Sequence, residues 1–520
     1  MPPMAHQFSR RQFASTSAAL GFYALTARRA GSATAETHSI RIDPASSLGI
    51  IRPQLHSHFS EHLGSCTYGG LWVGPNSKIS NIHGYRREAI EYLKALGIPV
   101  LRWPGGCFAD DYHWRDGIGS ADKRPKTVNI HWGDYVEDNS FGTHEFVGLC
   151  RLIGAEPYFA GNVGSGTPEE LRDWVEYCNY PSGSRLSDER AANGSPEPFR
   201  VKYWGIGNEN WGCGGQMRPE EYSGYYRRFA NFVRPFGGTV PFPIACGPNR
   251  NNKDWTEKFF EAMPPGRRNI AGYSMHYYSN GPLPATRYTP EAMQQQFESF
   301  ARLEQAIADQ REILDRFDPQ HRIGLIVDEW GVWDRMVPEE QQKYGHLWQQ
   351  NTIRCGIAAA LGLNLFHRNA AKLYMCNIAQ IVNVLQSVLL TDGDRCIRTP
   401  TYYAFELLKP HRGKTAVKVE NDERSSVGLS ISASRRNGEL ILTLVNPRPD
   451  AAMNVACSVA GKSVSAATAR ILHHADLNAC NTFDRPDEVV PKDYTATASG
   501  SGMRVDLPPL SVVTVQARLS

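Results

Sequence analysis

The run Ala89-Ile90-Glu91-Tyr92-Leu93-Lys94-Ala95-Leu96-Gly97-Ile98-Pro99-Val100-Leu101-Arg102-Trp103-Pro104 contains a helix, its stop signal and a strand in immediate succession. Ala89, Leu93 and Leu96 recur at helical spacing. Gly97 sits where a left-handed helix terminator belongs, and Pro104 ends the apolar run that follows. The next unit has the same design: a helix through Phe146, Leu149, Cys150 and Ile153, Gly154 as terminator, and the strand Pro157 to Ala160. Beyond it, Thr167-Pro168-Glu169-Glu170 combines an N-cap threonine, a first-turn proline and a glutamate three residues after the cap, which predicts a helix start.

Further strands are predicted at Pro53 to His58, Val201 to Gly205, Pro243 to Cys246, Gly272 to His276, Arg322 to Val327 and Lys372 to Met375. Eight strands alternating with helical patterns favour an α/β fold, a (β/α)8 TIM barrel over residues 53–405. A doubly wound sheet is the alternative, but no glycine-rich phosphate fingerprint follows the first strand. Beyond Lys409 the rhythm changes to short alternating strands with the hairpin turn Asn437-Gly438, so residues 406–520 read as a C-terminal all-β sandwich of jelly-roll type. Residues 36–52 read as an N-terminal strand joining it.

The chain has 520 residues, 41% hydrophobic and 21% charged, which excludes disordered, collagen-like and coiled-coil classes. Residues 1–35 contain Arg10-Arg11, a weakly apolar run from Ala14 to Ala27 and the small-residue triplet Ala33-Thr34-Ala35. That order resembles a twin-arginine export signal and predicts a periplasmic or secreted protein, the alternative being a basic tail. The formal charge is +3. Setting aside Arg10, Arg11, Arg28 and Arg29 leaves 52 basic against 53 acidic side chains. A near-neutral body gives no reason to expect nucleic acid or an anionic membrane as partner. The eleven cysteines include no C-x-x-C pair, which excludes a zinc ribbon or dithiol motif; most are expected to be buried and structural.

Two acids stand at strand exits: Glu209 in Gly207-Asn208-Glu209-Asn210 and Glu329 in Asp328-Glu329-Trp330-Gly331. A barrel brings such positions to one face, and two carboxyl groups flanking a sugar bond are what glycoside hydrolysis needs. Trp204, Trp211, Trp330 and Trp333 are nearby candidates for stacking on sugar faces.

Several segments together carry a family resemblance: Glu61-His62-Leu63-Gly64, Arg102-Trp103-Pro104-Gly105-Gly106-Cys107, Gly142-Thr143-His144-Glu145-Phe146, Gly161 to Gly166, Tyr203 to Gly215 and Asp328-Glu329-Trp330. The chain resembles the family 51 glycoside hydrolases, mainly α-L-arabinofuranosidases, from about Ile40 to its last strand. The resemblance implies a retaining, exo-acting enzyme on arabinan, arabinoxylan or related arabinose-containing oligosaccharides, with no cofactor or metal. Glu209 would be the general acid/base and Glu329 the nucleophile. Asn208 would bind the sugar 2-hydroxyl, and Glu61, Arg102, Cys107, His276, Tyr278 and Gln380 would line or orient the glycone pocket. The resemblance also implies a homo-oligomer, hexamer or trimer.

Three other readings compete. An endo-glucanase or another retaining glycosidase would use the same two acids. A carbohydrate-binding protein would use the tryptophans without turnover. His56-Ser57-His58 on the first strand resembles the H-x-H of a metal-dependent amidohydrolase, although the fourth strand exits on Asn208-Glu209 instead of a lysine and the fifth on Gly247-Pro248 without a histidine.

Overall fold

The computed structural model describes residues 36–264, 269–421 and 428–520. The chain enters on β1 (Glu36–Ile50), which belongs to the C-terminal sheet. It then lays down eight parallel strands that close into a barrel: β2 (Ser57–Phe59), β3 (Val100–Trp103), β4 (Glu156–Gly161), β5 (Tyr203–Ile206), β6 (Phe242–Ala245), β7 (Gly272–Asn280), β8 (Gly324–Trp333) and β9 (Leu373–Ala379). β9 closes onto β2 with Asn377 opposite Ser57. The first of these strands is shorter than the sequence pattern predicts, because Pro53–His56 winds into a 3-10 turn.

The local signals act as their chemistry dictates. Gly97 adopts φ 69° and donates its N–H to Leu93 O, and Gly154 adopts φ 76°, so each helix stops where a Cβ would be unfavourable. Thr167 Oγ1 accepts from Glu170 N at 3.1 Å and starts the helix Pro168–Asn179.

The barrel interior is layered. Val100, Tyr158, Tyr203, Ile244, Ile326 and Met375 plug its lower end with apolar side chains. Two residues further along the same strand faces come Arg102 and Asp328, and the polar pocket begins there. Trp103, Phe159, Trp204, Leu325 and Val327 point outward into the larger core between strands and helices.

The all-β end continues as β10 (Thr415–Asn421), β11 (Ser430–Arg436), β12 (Glu439–Asn446), β13 (Met453–Val459), β14 (Val464–His473), β15 (Lys492–Tyr494), β16 (Thr497–Ser499), β17 (Gly502–Leu507) and β18 (Ser511–Leu519). Hydrogen bonding links ten strands in the order β15-β14-β18-β12-β11-β10-β1-β13-β17-β16. Ala469 and Ile471 of β14, Val505 of β17 and Ile40 of β1 share one core, so the sheet folds over on itself.

The helix Ile353–Arg368 is buried on nearly all sides between barrel and sheet. Its His367 lies 2.8 Å from His56 (Nε2 to Nε2) and 3.1 Å from Ser432 Oγ. His411 bonds Ser434 and Thr443 at 2.8 and 2.9 Å. The His58 ring packs on Phe405 with centroids 4.7 Å apart. Burial pushes His58 and His411 down to about 3. His56 and His58 therefore serve the junction between barrel and sheet, on the outer side of the wall. This corrects the H-x-H metal-site reading, since neither ring enters the pocket. Among the described residues, no helix is long and apolar enough to cross a membrane.

Candidate active site

The strand exits converge on a pocket lined by Glu61, Gly106, Cys107, Trp132, Asn208, Glu209, Trp211, Tyr278, Glu329, Trp333 and Gln380, among others. Arg102 and His276 stand behind this lining, buried and bonded to it. The nine residues singled out in the sequence thus meet at one place.

Arg102 organises the centre. Its Nη1 donates to Glu329 Oε1 at 2.7 Å, Nη2 donates to Asn208 Oδ1, and Nε lies 3.5 Å from Asp328 Oδ2. Adjacent strand residues ordinarily face opposite ways, yet Asp328 and Glu329 both reach this guanidinium. The register explains it: Met275 pairs with Val327 and His276 with Glu329, so Asp328 is an extra residue in β8. Asp328 in turn accepts from Tyr158 OH at 2.8 Å and Asn377 Nδ2 at 2.6 Å.

Glu329 also accepts from Tyr278 OH at 2.7 Å. Burial alone would raise its pKa, but His276, Arg102 and the Tyr278 hydroxyl outweigh that and hold it below the ordinary carboxylate value. His276 Nδ1 lies 2.9 Å from Glu209 Oε1 and 3.6 Å from Glu329 Oε2. Burial acts to lower its pKa, and the two carboxylates raise it above the usual histidine value. Donor atoms of Glu209, His276 and Glu329 all lie within 4.8 Å of one another, a spacing that one cation could bridge. The guanidinium and the imidazole already supply positive charge to those carboxylates.

Glu209 sits in the turn after β5 with φ 42°, a left-handed conformation that costs a residue with a side chain roughly 1 kcal/mol. Its carbonyl accepts from Gly212 and Gly214 N at 2.6 and 3.2 Å, which closes the turn. Gly214 has no room for a side chain: a Cβ there would stand 2.0 Å from Asn208 O.

Glu61 forms the opposite wall. It accepts from Gly106 N, Phe108 N, Trp132 Nε1 and Gln380 Nε2 at 2.9–3.1 Å. Burial and the nearby Glu329 push it up to about 7. Trp132 arrives on a hairpin fixed by the buried His62–Glu137 contact at 2.9 Å and by Asn129 Nδ2 donating to His62 O. Neither Trp132 nor Asp110 was evident from sequence. Asp110 accepts from Val163, Gly164 and Asn208 N at 2.7–3.0 Å, tying three loops together, and burial lifts it to about 7.

Two of the four tryptophan assignments are corrected. Trp204 and Trp330 are fully buried outside the barrel wall, against Phe159 and Trp174 in one case and Phe366 in the other. Trp211 and Trp333 do line the pocket. Cys107 also lines it, bonded to Cys213 as a disulfide with Cα atoms 5.5 Å apart. The other nine cysteines are free.

An α-L-arabinofuranosidase 1 domain model matches residues 92–296, and an α-L-arabinofuranosidase C-terminal domain model matches residues 328–511. An intracellular exo-α-L-arabinofuranosidase of Bacteroides ovatus is 42% identical over 482 residues, covering 90% of this chain and 93% of the relative. The chain belongs to the α-L-arabinofuranosidases of glycoside hydrolase family 51. A probable α-L-arabinofuranosidase C of Aspergillus niger is 35% identical over 72% of this chain and 75% of its own. Among solved structures, the family 51 arabinofuranosidase of Xanthomonas axonopodis pv. citri superposes with TM-score 0.89 at 37% identity, covering 93% of this chain and all of that one. The arabinose complex of the α-L-arabinofuranosidase from Thermotoga maritima superposes at 0.82 with 29% identity, covering 92% and 100%.

Membership of this arabinofuranosidase family also corrects one expectation. The Bacteroides ovatus relative is described as intracellular, so the reading of residues 1–35 as an export signal is withdrawn. Paired arginines and a small-residue triplet are short enough to arise in a basic tail. That segment lies outside the described residues.

Proposed function

We propose that this family 51 enzyme is a retaining, exo-acting α-L-arabinofuranosidase that removes terminal arabinofuranosyl groups from arabinan, arabinoxylan or related oligosaccharides by double displacement. The observation that carries the reading is that one carboxylate oxygen of Glu209 and one of Glu329 lie no more than 4.8 Å apart, and that both carboxylates reach His276 Nδ1, at 2.9 and 3.6 Å. Retaining enzymes hold their two carboxyl groups about 5–5.5 Å apart, whereas inverting enzymes leave about 6.5–9.5 Å for a water between them.

Glu329, kept ionised by His276, Arg102 and Tyr278, attacks the anomeric carbon. Glu209 donates its proton to the departing glycosidic oxygen, so the carbon–oxygen bond breaks as the ester to Glu329 forms. Esterification removes one negative charge beside Glu209. The same residue then takes a proton from water as that water attacks the anomeric carbon, breaking its bond to the Glu329 oxygen and releasing Glu329 as a carboxylate. Arg102 holds Asn208 Oδ1, which leaves the Asn208 amide N–H groups to donate to the sugar 2-hydroxyl. Glu61 and Gln380 face the far side of the ring.

The exo-arabinofuranosidase activity for which the Bacteroides ovatus relative is named and the arabinose bound in the Thermotoga maritima structure support the substrate class. A hexameric or trimeric assembly belongs to the same proposal, and sedimentation equilibrium tests it. The decisive experiment is cleavage of an aryl α-L-arabinofuranoside in methanol followed by NMR. Methyl α-L-arabinofuranoside is the expected product, and the β-anomer refutes retention.

A further inference from the structure

The disulfide beside the acid/base has no place in the mechanism above. Cys107 follows β3 and Cys213 follows β5, so the bond joins two strand-exit loops across the rim of the pocket. Cys213 lies inside the turn closed by the Glu209 carbonyl, and its Sγ is 3.6 Å from Glu209 Oε2. The other carboxylate oxygen, Oε1, faces His276. Oε2 is thus the oxygen left to carry the transferable proton, and the sulfur abuts it. Asn208 Nδ2 is 4.0 Å from the same sulfur.

We infer that the Cys107–Cys213 disulfide is a positioning element for proton transfer. It fixes the left-handed turn at Glu209 against the opposite loop and sets where Oε2 stands relative to the leaving oxygen. The inference rests on Glu209 being the acid/base. A cross-link between loops distant in sequence removes freedom that the turn would otherwise have, and a displacement of about 1 Å of a catalytic group is enough to cost about a hundredfold in rate. Both cysteines are partly exposed, so a small reductant reaches them. Dithiothreitol supplies the two electrons and two protons that convert the bond to two thiols, and is itself oxidised to its cyclic disulfide.

The test compares oxidised, reduced and reoxidised enzyme on two substrates: a dinitrophenyl arabinofuranoside, whose leaving group needs no proton, and an arabino-oligosaccharide, whose leaving group does. Thiol titration of the denatured protein verifies the state, nine thiols when oxidised and all eleven when reduced. Reduction is expected to lower kcat/KM, which reports the proton-assisted first step, at least about tenfold on the oligosaccharide, to change kcat/KM on the activated substrate less than about threefold, and to be reversed by oxidised glutathione. Cys107→Ser with Cys213→Ser should show the reduced pattern permanently and ignore both reagents. Equal losses on both substrates would mean a purely structural bond, and unchanged kinetics with eleven free thiols would mean no role; either overturns the inference. Glu209→Ala serves as the separate control. If it lacks the leaving-group dependence, the acid/base assignment itself has failed. If it has that dependence while reduction does nothing, only the inference about the disulfide has.

Discussion

His58→Leu should make the protein markedly less sensitive to acid. His58 is fully buried against Phe405, and neither ring nitrogen has a hydrogen-bond partner among the described residues. Burial and the nearby Arg412 hold its folded-state pKa down at about 3, against about 6.5 in an unfolded chain. The unfolded state therefore takes up a proton that the folded state refuses as pH falls through 6.5. Stability is lost progressively from there until pH approaches 3. Between pH 7 and pH 5 that mismatch integrates to about 2 kcal/mol for this one side chain, at 1.36 kcal/mol per pH unit. Leucine has a similar volume and nothing to titrate.

The measurement is urea unfolding of both proteins at pH 7, 6 and 5, followed by tryptophan fluorescence, with the difference taken at each pH. The difference is needed because Glu61 and Asp110, both lifted to about 7, act with the opposite sign: the folded state binds their protons first, so they add stability as pH falls. Groups far from residue 58 cancel in the subtraction. The wild-type free energy should drop by about 2 kcal/mol relative to the variant across this interval. Parallel profiles would refute the claim that the barrel–sheet junction holds His58 neutral.

Glu329→Ala should abolish turnover, while Glu209→Ala should slow oligosaccharides far more than dinitrophenyl substrates; azide restoring neither variant while both kept native rates would reverse the assignment. Arg102→Met removes a charge that depresses the Glu329 pKa, so the nucleophile is protonated at higher pH and the acid limb of kcat/KM should move up by about 1–3 pH units, which a pH–rate profile measures. Trp132→Phe deletes the 2.9 Å hydrogen bond to Glu61 Oε1, and a charge-assisted bond of about 1.5–3 kcal/mol predicts a fall in kcat/KM of at least about tenfold with the thermal midpoint little changed. Gly214→Ala drives a Cβ into Asn208 O, so both thermal midpoint and activity should fall, with overpacking costing about 1–3 kcal/mol.

The fold was legible where the signal is local. Gly97, Gly154 and Thr167 act through their own φ angles and caps, and alternating patterns mark the strands whatever lies beyond them. Glu209 and Glu329 were legible because each follows an apolar strand pattern in a distinctive run, although β8 itself continues past Glu329 to Trp333. The misplaced side chains depend on information the one-dimensional pattern does not hold. Trp330 follows Glu329 and so reads as a pocket residue, but the extra residue at Asp328 resets which positions face inward. His56 and His58 looked like ligands until the helix Ile353–Arg368 supplied His367 more than 300 positions later. Asp110 and Trp132 are ordinary loop residues by sequence. Each gains its role from partners on other loops, Asp110 from Val163 and Asn208, Trp132 from Glu61. Among eleven scattered cysteines, the pairing of 107 with 213 follows only once β3 and β5 deliver their loops to the same rim.

The strand β1 is held between β10 and β13, antiparallel to the first and parallel to the second, near the middle of the ten-stranded sheet. The rib on which that sheet is assembled therefore leaves the ribosome before any of its neighbours, with the entire catalytic body made in between. At about 5–20 residues per second, the delay is roughly 20–70 s. During that interval β1 is an orphan edge, and only the arrival of the last fifth of the chain, from Thr415 onward, gives it partners. The barrel is thereby clasped by segments that precede and follow it in the sequence. A fragment starting after β1 would expose the facing edges of β10 and β13 and should associate with a synthetic β1 peptide.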